Sequence, residues 1–371
     1  MKILLLGEYS NVHATLARGL RNLGHEVTVV SNGDFWKDYP RDIDVSRKSG
    51  PFSGVRLYLK VLSLLPRLTG FDVVQLINPI FFELRADRLF AIYHYLKKHN
   101  KTIILDAFGM DYYWVSTCTY DKPLRYSDFN IGPKVRDDLS AVEEQHDWLG
   151  TVKERLNKEI AASCDAIVTG LYEYDVCYRP HFPDKTTFIP FPIEIGPSAP
   201  VSPAPPLKLF IGISRGRSAY KGTDIMLEAA KEVKAKYPNG LELRIANGIP
   251  FDEYVRMIDG SDAIMDQLYS YTPAMNALLA MSKGIIVIGG GEPENYAILH
   301  ENQLRPIVNV QPTRDSVCHE LERLVLHPDI IPRLRRESIE YVKRHHDYMK
   351  VARQYETLYK QIIAKKFGSK I

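Results

Sequence analysis

One stretch constrains this chain more than any other, Leu207 to Asp224, LKLFIGISRGRSAYKGTD. Its apolar run from Leu209 to Ile213 reads as a buried strand. Thr223 or Asp224 is placed to cap the helix that follows, TDIMLEAAKEVKAKY. The loop between them holds Gly212, Gly216 and Gly222 with three cations, Arg215, Arg217 and Lys221. A strand, a cationic glycine-containing loop and a helix N-terminus together make an anion site. Backbone N–H groups and the helix dipole favour a phosphate, and Arg and Lys add fixed charge. A plain βα turn with solvated cations has the same local pattern, so the rest of the chain has to decide.

With 371 residues and 45% hydrophobic content the chain can bury a large core, and its length favours two domains. A formal charge of +3 with no long basic run gives no reason to expect a nucleic-acid partner. The four cysteines, Cys118, Cys164, Cys177 and Cys318, form no CxxC pair, which fits a reducing compartment and argues against a disulfide framework or structural zinc. The opening MKILLLGEYS is too short for a signal-peptide core, and no stretch approaches the roughly 20 apolar residues that span a bilayer. The expected location is cytoplasmic, with any membrane contact peripheral, at the inner face.

Lys2 to Leu6 reads as a strand, NVHATLARGLRNLGH as a helix stopped by Gly24, and HEVTVVSNG as the next strand. The first loop, GEYSN, has one glycine, so the dinucleotide fingerprint is missing and Gly7 to His13 is expected to line a cleft. His13 sits at the helix start, where it either meets substrate or caps and packs. Asp42-Ile43-Asp44 has metal-binding spacing but lies in a charged loop with no apolar strand leading into it, so no metal site is assigned. Val55 to Leu68, VRLYLKVLSLLPRL, suits an amphipathic helix. Lys60, Arg67 and its leucines would serve either a basic face toward anionic lipid or, the favoured reading, a helix buried between sheet and solvent. Further strands are FDVVQLINP, KTIILDAFGMD, CDAIVTG and TTFIPFPIEI, with helices between them. Asp111 to Gly150 is too long and polar for a plain connection. Its aromatics and carboxylates suit a sugar-facing lid, although a surface excursion packed by its own rings has the same composition.

GPSAPVSPAPP, residues 196–206, reads as a stiff linker, and a second βα series starts behind it. LKLFIGIS, LELRIAN, SDAIMDQ and IIVIGGG are its strands, with a helix from Pro273 to Lys283. The expectation is a Rossmann-like domain over 1–195, a second over 207–345, and a cleft between them. A closing amphipathic helix over 346–371 carries Tyr348, Val351, Tyr355, Leu358, Tyr359 and Ile362 along one side.

In order and local sequence the whole chain resembles the GT-B glycosyltransferases, in particular the large retaining group that uses nucleotide sugars. SRGRSAYKG looks like that group's diphosphate loop, with Arg215, Arg217 and Lys221 as the best matches. LAMSKG stands where the group has a Glu-Ala-Met-x-x-Gly helix start, and GGEPE resembles its Gly-Gly-x-x-Glu turn through Gly290, Gly291 and Glu294. FGMD resembles a His-Gly-x-Asp turn, and the closing helix looks like one that crosses back to the first domain. The chain departs from the pattern in three places: Tyr271 and Leu279 stand where two glutamates are usual, and Phe108 where a histidine is. Glu294, Asn276, Asp266 and Glu292 are the candidate substitutes.

The resemblance implies glycosyl transfer from a nucleoside diphosphate sugar to a hydroxyl of a glycan or lipid-linked acceptor, retaining and metal-independent, in polysaccharide synthesis. The sugar nucleotide would be a donor substrate; no cofactor is expected. Glu294, His13 and Asp111 are the implied catalytic contacts; Arg215, Arg217, Lys221, Gly290, Gly291 and Asn276 would bind the donor. The acceptor would meet Gly7 to His13 and the Asp111–Asn130 region. The alternative is a non-catalytic nucleotide-sugar or glycan-binding protein that has lost the glutamate pair. A phosphorylase or epimerase shares the architecture, but no lysine here is set to anchor pyridoxal phosphate.

Overall fold

The computed structural model describes residues 1–196, 205–213, 216, 218–249 and 251–368. Most of the expected linker, residues 197–204, and both Arg215 and Arg217 lie outside the described residues. The chain divides into two compact units. The first comprises Met1–Thr117, Gln145–Pro192 and Tyr348–Ile371; the second comprises Cys118–Glu144 and Ile193–Asp347.

The first unit is built on a sheet of seven strands: β1 (Lys2–Leu6), β2 (Glu26–Ser31), β3 (Ile43–Asp44), β4 (Val73–Leu76), β5 (Thr102–Asp106), β6 (Ala166–Thr169) and β7 (Thr186–Phe188). Their spatial order is β3-β2-β1-β4-β5-β6-β7, and each neighbouring pair is parallel. β4, β5 and β6 are buried at every residue, as strands covered on both faces are, and are apolar except for Gln75, Thr102, Asp106 and Thr169. The order reverses between β1 and β4. In open α/β sheets a ligand crevice lies at the carboxyl ends beside that switch point. Helix α1 (Val12–Asn22) follows β1, and α2 (Ser53–Leu64) follows β3. α2 is shorter than the apolar spacing suggests because Pro66 turns its end into a single 3-10 turn, Leu65–Arg67. The expected final strand TTFIPFPIEI is likewise confined to β7.

The second unit has a five-stranded parallel sheet: β8 (Leu207–Ile213), β9 (Leu241–Asn247), β10 (Ala263–Met265), β11 (Ile286–Gly289) and β12 (Val308–Asn309). The order is β9-β8-β10-β11-β12, so its switch point lies between β8 and β10. α3 (Thr223–Lys236) follows β8 through a short helix, Ser218–Lys221, and α4 (Met275–Ser282) precedes β11. The Asp111–Gly150 region folds into the helices Tyr112–Tyr120 and Leu139–Trp148 with a hairpin, Asn130–Ile131 and Lys134–Val135, between them. Its middle, Cys118–Glu144, groups with the second unit and not with the residues before it. Arg136 is the physical reason: 8% exposed, it donates to the carbonyls of Ala219 (2.8 Å) and Tyr220 (3.1 Å) and stacks 3.8 Å from the Tyr269 ring centroid.

The closing helix α5 (Tyr348–Phe367) groups with the first unit. It buries Val351, Ala352, Tyr355, Leu358, Tyr359 and Ile363, so the inward residue at its end is Ile363 and not Ile362. α1 accepts it closely because Gly19 has no side chain: a Cβ there would lie 2.7 Å from Ala352 Cβ.

Candidate functional site

In the second unit the residues singled out in sequence gather at the carboxyl ends of the strands. β8 leads into the loop that carries Lys221. Gly222 has a φ of 72°, a backbone that L side chains rarely adopt, and a Cβ there would lie 2.5 Å from Leu268 Cβ. The loop is pinned to the next strand's loop where Leu268 N donates to Lys221 O (3.0 Å). Arg136 anchors its other side through Ala219 and Tyr220. Lys221 is half-buried.

Across the switch point, Asp266 follows β10. Desolvation pushes its carboxyl above the usual range, while the Lys221 charge and a hydrogen bond with Asn276 pull the other way. Asn276, exposed on α4, is also hydrogen-bonded to Tyr254. Tyr254 lies over Gly212 at the end of β8, where a Cβ would come within 3.1 Å of its ring, and desolvation raises its phenol to about 12. Lys221, Asp266, Asn276 and Tyr254 thus form one polar cluster beside the switch point. Nothing in the sequence marked Tyr254, because what gives it meaning is a glycine 42 residues away.

The β11 loop supplies the third wall. Gly290 has no room for a side chain, since a Cβ would sit 2.3 Å from the Ser270 carbonyl oxygen. Gly291 packs on Ile307, and its N–H donates to Asn309 Oδ1 (3.0 Å). Glu292, 3% exposed, accepts from Tyr126 Oη (2.5 Å), Gln311 Nε2 (2.7 Å), Asn309 Nδ2 (3.1 Å) and Arg125 Nη2 (2.7 Å). Burial alone would raise its pKa, but these donors and the Arg125 charge outweigh it and hold the carboxyl below the usual range. Glu294, part-exposed, takes both Arg125 nitrogens, at 2.5 and 3.2 Å. Tyr271, at one missing-glutamate position, is 1% exposed; its hydroxyl accepts from Arg125 N (2.7 Å), and its ring packs on Tyr126 and on the Arg125 guanidinium. Leu279, at the other, is 44% exposed. Arg125 and Tyr126 were not singled out in sequence, and no local signal could have marked them: their partners lie about 146 to 169 residues away.

In the first unit His13 and Asp111 are both 0% exposed. His13 Nε2 lies 3.0 Å from Asp106 Oδ2 and Nδ1 2.8 Å from Gly7 O. Gln75 donates to the same Asp106 oxygen (2.7 Å) and accepts from Tyr359 of α5 (2.5 Å). Burial raises Asp106, against the pull of His13 and Gln75. His13 is thus buried and bonded at both ring nitrogens. Asp111 caps helix Tyr112–Tyr120 through Trp114 N (2.9 Å) and accepts from Tyr178 Oη (2.7 Å); burial raises it to about 6. Phe108, where the resemblance has histidine, is buried edge-on against Phe191. Glu8, in the loop after β1 and 2% exposed, was not singled out in sequence. It accepts from Ala14 N (2.8 Å) and His13 N (3.3 Å), and desolvation raises it to about 7. Asp42 and Asp44 are engaged by Arg21 and Arg41, and no group of three or more metal-ligating side chains occurs among the described residues.

No protein-family model and no curated protein sequence matches the chain. Solved structures do. Sucrose-phosphate synthase from Thermosynechococcus elongatus superposes with a TM-score of 0.65 at 13% identity, covering 98% of this chain and 100% of that one. Anabaena HepE in complex with UDP and glucose gives 0.56 at 12%, over 96% and 99%. UDP-GlcNAc 2-epimerase from Neisseria meningitidis, bound to UDP-GlcNAc, gives 0.54 at 12%, over 97% and 100%. At such identities the likeness speaks to fold, and over nearly the full length of each chain it agrees with two Rossmann-like units, each with its own parallel sheet. By fold this chain is a GT-B protein.

Proposed function

We propose that this protein is a glycosyltransferase that moves a sugar from a nucleoside diphosphate donor to an acceptor hydroxyl. The observation that carries this reading is the cluster at the β8/β10 switch point. Lys221 sits there with Asp266 and Asn276, and the Gly290–Gly291 turn with Glu294 closes the next strand end. A cation at a strand end ahead of helix α3 suits a diphosphate. Carboxylate and amide groups beside it suit sugar and ribose hydroxyls. Of the structures that share the fold, HepE was solved with UDP and glucose and the epimerase with UDP-GlcNAc.

In the reaction the bond from the anomeric carbon to the diphosphate oxygen breaks, and the acceptor oxygen bonds to that carbon with retention. The acceptor's proton leaves with the diphosphate. Lys221, with Arg215 and Arg217, stabilises the charge that develops on the leaving group, which removes the need for a metal. Glu294 orients the donor sugar, and its pairing with Arg125 holds the side chain in place. Transfer of a hexose to a glycan or lipid-linked acceptor in polysaccharide synthesis fits this chemistry.

Thermal shift with UDP-, GDP-, ADP- and CDP-sugars tests the proposal, with Lys221→Ala run in parallel. One nucleotide class should stabilise the wild type, by about 2.7 kcal/mol at a hundredfold excess over Kd, and the variant much less. Acceptor-dependent release of nucleoside diphosphate should then follow. If no nucleotide stabilises the wild type, the donor site is wrong. If one does but no acceptor provokes release, the protein binds the donor without transferring its sugar. Conversion of the donor to its epimer would move the chain to a different reaction on the same fold.

A further inference from the structure

We propose that the outer face of α2 is a docking surface for an anionic lipid bilayer. This inference is independent of the donor and of the reaction. The helix turns Leu57 and Val61 inward. Its other side is left open by the described residues: Phe52 is 78% exposed, Val55 53% and Leu59 59%. Val55 and Leu59 stand four apart on one face of the helix, and Phe52 precedes its first turn in a left-handed backbone, φ 58°. Single exposed apolar residues are ordinary, but three on and just before one short helix, one of them a phenylalanine, are not.

Charge states what would cover it. From Val45 to Phe71 the chain has five cations, Arg47, Lys48, Arg56, Lys60 and Arg67, and no acidic residue. All five are exposed, and Arg56 and Lys60 directly follow Val55 and Leu59. Lys60 meets Asp44 Oδ2 at 3.9 Å, while Arg41 holds the other oxygen of that carboxylate at 2.8 Å, so Asp44 is shared between two cations. A second protein could cover apolar side chains, but five exposed cations around them, of which Lys60 alone is in an ion pair among the described residues, match a surface of negative headgroups over a hydrocarbon edge. The topology adds a second anchor. The turn Phe35–Lys37 leaves the carboxyl end of β2, and α2 starts beyond the carboxyl end of its neighbour β3. Trp36 (66% exposed) and Phe35 (60%) therefore lie at the same end and edge of the sheet as Phe52. Tryptophan at that place suits the headgroup layer.

Vesicle flotation tests this with the full chain on phosphatidylcholine alone and on phosphatidylcholine mixed with phosphatidylglycerol. The wild type should float with the mixed vesicles, weakly with the neutral ones, and less as salt rises. Arg56→Gln/Lys60→Gln should lower partition about tenfold or more, since each cation near such a surface contributes about fivefold. Phe52→Ser/Leu59→Ser should lower it comparably. All four side chains are exposed, so circular dichroism should be unchanged. Failure of the wild type to float with mixed vesicles overturns the proposal, as does equal flotation of both variants. A wild-type dimer that the Phe52→Ser/Leu59→Ser variant dissociates, with no flotation, would assign the face to a second copy of the chain.

Discussion

Replacing Glu8 with Gln should change the sign of its effect on stability between acid and neutral pH. Glu8 is buried behind the end of β1, and desolvation outweighs the pull of His13 and of the two N–H donors; Asp34 adds a smaller upward push. Its carboxyl stays protonated in the folded protein up to about 7, whereas in the unfolded chain it ionises from its ordinary value of 4.5. Between those values the unfolded state loses its proton first, so each rise in pH favours unfolding, and the loss is complete above 7. At 1.36 kcal/mol per pH unit that span is worth about 3 kcal/mol. Gln carries no charge and escapes this loss. Its single amide oxygen, however, cannot serve both Ala14 N and His13 N as two carboxyl oxygens do, at a cost of about 1 kcal/mol at every pH. Glu8→Gln should therefore be less stable than wild type by about 1 kcal/mol at pH 4 and more stable by about 2 kcal/mol at pH 8. Urea unfolding followed by tryptophan fluorescence measures this, because Trp36, Trp114 and Trp148 all lie in the unit that contains Glu8. A difference between the two proteins that does not change with pH would refute the reasoning.

Two other outcomes follow from the second unit. Gly290→Ala places a methyl group against the Ser270 carbonyl, and a backbone atom cannot swing aside. It should cost about 2–3 kcal/mol in circular-dichroism-monitored unfolding and abolish stabilisation by the nucleotide sugar. Arg125→Ala removes a half-exposed guanidinium from one buried and one part-exposed carboxylate, so about 1–2 kcal/mol is expected, between exposed and buried pairs. A double-mutant cycle with Glu292→Gln should show coupling of at least about 1 kcal/mol, and one with Glu294→Gln less. The reverse order would mean that Arg125 serves the sugar turn and not the buried acid.

Elements with a strong local signal were legible from sequence. The β8 strand and α3 are marked by an apolar run and a periodic helix, and α5 shows its inward face except at its two ends, where Tyr348 and Ile362 are only part-buried. Lys221, Gly290, Gly291 and Glu294 each follow a strand of one unit, so a local motif could mark them; Asn276, on α4, meets Asp266. Side-chain pairing across long separations was hidden. Composition said that Asp111–Gly150 was unusual, but only the Arg136 bonds to Ala219 and Tyr220 show which unit it braces. His13 and Asp111 looked available because each stands at a helix start; Asp106, Gln75 and Tyr178, far off in sequence, are what bury them.

The division of the chain also bears on its synthesis. The first unit is assembled from three separate stretches, the last being Tyr348–Ile371. That stretch brings Tyr359, whose hydroxyl meets Gln75 inside the Asp106 cluster. A nascent chain can therefore pair β1 to β7 early, but it holds this polar centre open until α5 has emerged. Domains otherwise tend to complete in order from the N-terminus. Here the unit begun first is completed only after the second unit has been made, and a chain that stops before α5 leaves Gln75 without its tyrosine partner and the α1 face uncovered.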